Sequence, residues 1–416
     1  MSKQESEVYI VDGLRTPFIK VGRKANPWSA ADLAVAAAGP LLARQSFKPE
    51  AIEEVIVGCV GQASDEANIA RIIALRLGCG HHVPGWTVQR NCASGLQALD
   101  SAALHIRHGH YDLILAGGTE CMSRSPVQYQ TALLNWLSDV KTSRGFLNIC
   151  KALSQFRPRL LKPVFALLNG LTDPIVQLSM GQTAENLAEA YGITRELMDA
   201  FSVESHQKLH QAIQDKHLAE ITPLFDWQGM AVHQDTGLRI DSSSAKLAQL
   251  KPVFDKPFGQ VTAGNSSQIT DGAAFLILAS RSAVKRYQLP VIGKIVDTSW
   301  AALDPAIMGL GPVFAIQKLL SQQNLKLNDI DYWEINEAFA AQVLACLEEI
   351  AIPKERLNVD GGAISIGHPV GASGARLVLH LLHVLKRNQA KRGIASLCIG
   401  GGQGGAMLIE PVSGVS

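Results

Sequence analysis

Two stretches far apart in this chain repeat one pattern. Ala93-Ser94-Gly95 opens a run of helix-forming residues to His108, which leads into the strand-like Leu113–Gly118. Ala372-Ser373-Gly374 opens a similar run to Lys386, which leads into Leu397–Gly401. The triplets stand 279 residues apart (93 to 372). Upstream, IEEVIVGCVGQA from Ile52 aligns with IDYWEINEAFAA from Ile330, a shift of 278 (52 to 330). Two matches at nearly one shift predict two related halves. The halves would be residues 1–123 with 270–289, and residues 290–416, with residues 124–269 inserted in the first.

Short β-branched runs alternate with Ala/Leu-rich stretches. Val8–Val11, Glu54–Val60, Asp112–Ala116 and Phe275–Ala279 read as strands. Ala30–Arg44, Ile69–Leu77, Ser94–His108 and Thr183–Ala190 read as helices. This alternation predicts an α/β fold with buried sheets. Hydrophobic residues make up 47% and charged residues 18%, enough for a large packed core. The net charge of +1 rules out a global basic surface for nucleic acid. No apolar run approaches the ~18–20 residues that span a bilayer. The start, Met1-Ser-Lys-Gln-Glu-Ser-Glu7, lacks a basic segment followed by an apolar one, so a cytoplasmic protein is expected. The seven cysteines include no C-x-x-C pair, which predicts reduced thiols, any of which could be a nucleophile.

Residues 140–172 carry Lys141, Arg144, Lys151, Arg157, Arg159 and Lys162 and no acidic residue. Phe146, Ile149, Cys150, Leu153 and Phe156 recur at helical spacing, and Pro158 and Pro163 interrupt. Such a helix can lie on an anionic membrane, grip a partner, or pack on the core with a solvated basic edge.

Four segments concentrate reactive groups. Cys92, in QRNCASG, stands just before a helix, where unpaired N–H groups and the helix dipole would lower a thiol's pKa. It reads as a nucleophile or as a small buried residue. His368, in GGAISIGHPVGASG, is held between Gly and Pro on a tight loop and could take a thiol's proton or donate to an oxyanion. Cys398 meets a Gly-rich run, CIGGGQGG, that frees N–H groups for a carbonyl oxygen or simply lets sheets pack closely. Asn336, in NEAFAAQ, ends a strand and could fix a water or an acyl oxygen. Together these form a coherent acyl-transfer site. No ligand-type spacing supports a metal, and no G-x-S-x-G supports a serine hydrolase.

In order and spacing, NCASG, NEAFAAQ, GHPVGASGAR and CIGGGQGG resemble the signatures of the thiolase family. VTAGNSSQITDGAA, MGQTAENLA and MGLGPV extend the resemblance over nearly the whole chain. It implies a five-layered α-β-α-β-α fold of two similar halves with an inserted loop domain. It implies ping-pong chemistry on coenzyme A thioesters, with acyl-CoA and CoA as substrates and no metal or redox cofactor. Cys92 would be the acylated nucleophile and His368 its activator. His368 and a water on Asn336 would form one oxyanion hole, and the N–H groups of Cys92 and Gly400 the other. Cys398 would be the acid/base. Ser267 would contact the pantetheine arm, and Arg239 would lie near the adenine nucleotide.

The family implies a homodimer or homotetramer. The long basic insert is similar to those of thiolases that join a multifunctional β-oxidation subunit, which makes residues 140–172 a candidate contact for such a subunit or a membrane surface. The expected activity is 3-ketoacyl-CoA thiolysis, with acetoacetyl-CoA thiolase as the near alternative. A non-catalytic acyl-CoA or lipid carrier would have lost catalytic groups, and a decarboxylating condensing enzyme would lack Cys398.

Overall fold

A computed structural model describes residues 7–412. The leader-free start expected at residues 1–6 lies outside the described residues. The first half supplies strands β1 (Val8–Arg15), β2 (Glu54–Gly58), β3 (Gly85–Val88), β4 (Leu113–Cys121) and β5 (Thr270–Ser280). The second supplies β6 (Gly293–Ala302), β7 (Tyr332–Ile335), β8 (Gly393–Ile399) and β9 (Gln403–Pro411). They run in the order β7-β8-β9-β6-β1-β5-β4-β2-β3, with the short strand Ile19–Lys20 paired to β5.

The repeat is visible in this order. In the first half β1, β5 and β4 are antiparallel, and β4, β2 and β3 are parallel. In the second, β6, β9 and β8 are antiparallel, and β8 and β7 are parallel. The counterpart of β3 has shrunk to one parallel bridge, Trp333 with Leu357. Only Val8–Ile10 and Gly293–Ile295 join the two half-sheets.

Strand periodicity explains the layers, because alternate side chains face opposite ways. On β5, Ala273, Phe275, Ile277 and Ala279 enter one apolar cluster, and Ala274, Leu276 and Leu278 enter another. On β8, Ile394 and Cys398 face outward, and Ala395, Leu397 and Ile399 face inward. Both faces of both half-sheets are therefore buried, which is why these strands read as continuous apolar runs.

The first outer layer holds α1 (Ala30–Ala43) and α2 (Ile69–Arg76). Ser29 and Asp32 start α1 with a reciprocal capping box. The central layer holds α3 (Ser94–Arg107) and, from the second half, the helix Ser373–Arg387. The second outer layer holds α4 (Gly311–Gln322) and α5 (Ala340–Glu349). The helix Ser373–Arg387 is α6.

Glycine lets the two central helices meet. A Cβ on Gly118 would fall on the Gly371 carbonyl, and one on Gly374 would strike the Leu96 backbone. The two Ala-Ser-Gly turns thus pack against each other, and the residues preceding each helix share one space.

The insert departs from its sequence reading. The basic segment does form a helix, Phe146–Ser154, but its buried residue is Ala152. Phe146 is 80% exposed and Leu147 82%. Phe156 lies past the helix end and packs on Trp136, with ring centroids 5.1 Å apart. Among the described residues, no helix is long and apolar enough to cross a membrane.

Candidate active site

Cys92 sits on a tight turn between β3 and α3. Asn91 there adopts a left-handed backbone, φ 43°. Ser94 locks the turn: its Oγ accepts from the Arg90 N–H at 2.9 Å and donates to the Asn91 carbonyl at 2.7 Å. The Asn91 side chain donates to the Gly400 carbonyl at 2.8 Å, which ties this turn to the Gly-rich hairpin of the other half. Left-handed Gly401 (φ 89°) and Gly402 (φ 74°) make that hairpin between β8 and β9. Cys92 and Gly400 line one cavity, and the N–H groups of both residues favour a charged Cys92 sulfur.

The half-buried thiol does not titrate as its place before a helix predicts. Burial raises its pKa above the usual thiol value, and the N–H groups of Gly400 and Cys92 offset this only in part. The resting group is a thiol that needs a base.

His368 is the base that the sequence singles out. Its loop is fixed at the His368 N–H, which donates to the Gln268 carbonyl at 3.1 Å. Ser373 Oγ donates its single proton to the Pro369 carbonyl at 3.0 Å and stands 2.6 Å from His368 Nδ1. With that proton committed, the hydroxyl accepts from Nδ1–H, and Nε2 is left with a lone pair. Burial, with the Arg376 charge behind it, lowers the imidazole pKa to about 4. His368 is therefore neutral near pH 7 and able to accept a proton. Asn336 follows β7, its N–H donating to Ser396 at 2.9 Å. Its Nδ2 lies 3.4 Å from His368 Nε2, a long contact, and its Oδ1 has no partner among the described residues.

Cys398, on β8, is 1% exposed. Burial lifts its thiol well above the usual value, and charge on Cys92 or Cys346 lifts it further. Cys92 is thus near enough for a charge on it to act on Cys398. Cys398 sits under the site's surface and lines neither of the two cavities that reach Cys92 and His368.

Two cavities reach the site. One of about 340 Å³ is lined by Cys92, Gly400, Glu120, Val60, Met122 and Leu167 among others. The second, about 660 Å³, has His368 on its wall together with Ser267, Phe254, Phe339, Lys20 and Arg239. They share Met122, Leu171, Met180 and Val370. Ser267 and Arg239 therefore do face the space that leads to His368. Lys20 and Arg239 repel each other electrostatically, and neither makes an ion pair among the described residues.

Three residues with clear roles in this geometry were not singled out as site residues in sequence. Asn91 fixes Gly400, Ser373 fixes the imidazole, and Glu120 accepts N–H bonds from both halves. Ser373 was the most legible, because its repeat mate Ser94 locks the equivalent turn.

A thiol on a cavity wall with Gly400, a neutral histidine and two confluent cavities fit a site for acyl transfer. The comparisons agree. The family described as Thiolase, N-terminal domain, matches residues 8–282, and Thiolase, C-terminal domain, matches residues 289–411. A probable acetyl-CoA acyltransferase of Staphylococcus aureus is 38% identical over 410 residues, covering 97% of this chain and 99% of that one. The crystal structure of the Bacillus anthracis acetyl-CoA acetyltransferase superposes with a TM-score of 0.89 at 38% identity, covering 99% of this chain and 100% of that one. The human mitochondrial 3-ketoacyl-CoA thiolase in complex with CoA gives 0.89 at 36% identity, covering 98% of each. The chain belongs to the thiolase family, and the five-layered fold of two similar halves is the one its sequence implied. Its chemistry is thiolase-type acyl transfer.

Proposed function

We propose that the chain cleaves 3-ketoacyl-CoA by ping-pong thiolysis. His368 Nε2 takes the Cys92 proton, and the sulfur attacks the 3-keto carbon. The oxyanion forms within reach of the Cys92 and Gly400 N–H groups. The carbon–carbon bond then breaks, leaving an acyl group on Cys92 and an enolate of acetyl-CoA. His368 and a water on Asn336 Oδ1 stabilise the enolate, and Cys398 protonates it. A second CoA gives its thiol proton to the Cys398 thiolate and attacks the acyl-cysteine. Cys92 leaves as a thiolate and recovers its proton from His368. Losing one preplaced oxyanion donor typically costs ~10²–10³ in rate, which is why both charges have their own donors.

The observation that carries this reading is the Cys92 turn tied to the Gly400 hairpin of the other half, both on the wall of one cavity. Ser267, Arg239 and Lys20 line the route by which a phosphorylated CoA arm would arrive. The cavity at Cys92 is roughly eleven times the ~30 Å³ that one water occupies, far more than an acetyl group fills. That favours longer 3-ketoacyl chains over acetoacetyl-CoA. Steady-state thiolysis of graded 3-ketoacyl-CoAs tests it, and a kcat/KM highest for acetoacetyl-CoA would move the reading to the alternative.

The same reading extends to the insert and to assembly. Phe146 and Leu147 are exposed beside the basic run and form an apolar face with a cationic fringe, suited to an anionic membrane or a β-oxidation partner subunit. Deleting residues 140–172 should abolish liposome binding or partner co-purification. Unchanged behaviour in both would remove the idea. A homodimer or homotetramer is expected in sedimentation, and a monomer would contradict it.

A further inference from the structure

Glu120 lies near the end of β4, in the wall of the cavity that holds Cys92. It is 2% exposed and pairs with no cation among the described residues. Its two oxygens accept three backbone N–H groups. Oε1 takes Gly61 at 2.8 Å, and Oε2 takes Val60 at 3.0 Å and Gly371 at 3.1 Å. Val60 and Gly61 belong to the first half. Gly371 belongs to the second, three residues after His368 and two before Ser373. Space around the carboxylate is kept clear by glycine: a Cβ on Gly371 would stand 2.8 Å from Oε2, and one on Gly61 would stand 3.1 Å from Oε1.

We propose that Glu120 is a positioning residue that clamps the His368 loop to the Cys92 half, and that it does so only as a carboxylate. This rests on the acyl-transfer reading above. All three partners are donors, so the clamp needs a group that only accepts. A carboxylic acid or an amide inserts its own N–H or O–H among them and must turn one donor away. A hydrogen on Oε1 displaces Gly61, and one on Oε2 opposes Val60 and Gly371, so either loosens the tie between the Val60–Gly61 turn and the His368 loop. Release lets Nε2 drift from the Cys92 sulfur, and a misplacement of about 1 Å can cost ~10²-fold in rate.

The groups facing Glu120 are Asp271 on β5, Cys59 after β2, and Cys92. None is cationic. Burial pushes the carboxyl up to about 7, with Asp271 adding to the rise and the three N–H groups restraining it. The clamp therefore closes as pH rises through about 7, a range in which His368 is already neutral.

The test compares the wild-type full chain with Glu120→Gln in thiolysis of a good 3-ketoacyl-CoA over about pH 6 to 9. Wild-type kcat should fall on the acid side with a midpoint near 7. The variant should lack that limb and run ~10²-fold slower at alkaline pH, with the KM for CoA within about twofold of wild type. Its melting temperature at alkaline pH should stay close to wild type, since the amide removes a buried charge. An acid limb unchanged in the variant, a kcat within about threefold of wild type, or a loss of kcat that only tracks a loss of stability would each overturn the proposal. If the variant does not fold, infrared difference spectra of the wild type decide. A carboxylic acid band that vanishes at the midpoint of the activity limb supports the clamp, and no such band overturns it. A wild type inactive on every 3-ketoacyl-CoA would instead sink the acyl-transfer reading, so the two failures are distinguishable.

Discussion

Replacing Ser373 with Ala removes one oxygen and should cost most of the activity while leaving the fold in place. The hydroxyl is buried, 2.6 Å from His368 Nδ1 and 3.0 Å from the Pro369 carbonyl it donates to. With the hydroxyl proton on the Pro369 carbonyl, Nδ1 carries the imidazole hydrogen and Nε2 is free for the proposed role of base. Without it, Nδ1–H is a buried donor with no acceptor, a state that costs ~1–3 kcal/mol. The imidazole escapes that cost by moving its proton to Nε2, where it can no longer take one from Cys92. At ~1.4 kcal/mol per factor of ten, the competent tautomer falls roughly 5- to 150-fold, and kcat should fall with it. The KM for CoA should hold, because Ser373 does not line the cavity with Arg239 and Ser267. Steady-state thiolysis followed by acetyl-CoA release measures the split, and urea melts should lose no more than ~1–3 kcal/mol. A kcat within twofold of wild type, or a loss confined to KM, would refute the tautomer argument.

Cys398→Ala should still take an acyl group on Cys92 from a reactive thioester, seen by mass, yet fail to cleave carbon–carbon bonds. Normal cleavage would remove Cys398 from the mechanism. Ala166→Trp fills the cavity beside Cys92 from the insert side. It should lower kcat/KM at least ~10-fold for long 3-ketoacyl chains and leave acetoacetyl-CoA within a few-fold, whereas equal losses on both would argue against an acyl channel there. His380, buried between Glu220 and Asp360, is raised to about 10, and His380→Gln should cost ~3–5 kcal/mol near neutrality. Because the folded value lies above the ordinary histidine value of 6.5, this contribution is complete below about 6.5 and fades as pH climbs through about 10. Denaturant midpoints flat in pH over that window would contradict the pairing.

Much of the fold was legible because strand burial is written in short apolar runs. Phe275–Ala279 named a strand whose two faces feed two different layers, and the Ala-Ser-Gly repeat located the two helices of the central layer. The candidate site residues Cys92, His368, Asn336 and Cys398 stood out in sequence because glycine and strand ends mark them. The direction of the Cys92 shift was misread. The helix N–H groups are local and visible in sequence, but the burial that outweighs them is a tertiary effect with no local pattern. Glu120 and Asn91 stayed hidden for a related reason. Their partners are backbone groups 251 and 309 residues away, and backbone partners leave no side-chain pattern to read. The insert's helix was found from its period, yet period alone does not say which face the protein covers, and Phe146 and Leu147 proved exposed while Ala152 is the residue covered.

The central claim is that one sulfur carries the acyl group between two coenzyme A molecules. Intact-protein mass spectrometry after brief mixing with 3-ketoacyl-CoAs of graded length, followed by peptide mapping, addresses it directly. The account predicts a mass increase of one shortened acyl chain per subunit, located at Cys92, lost on adding CoA and absent in Cys92→Ala. An acyl group found on Cys398, or turnover with no acylated protein at any time, would contradict it.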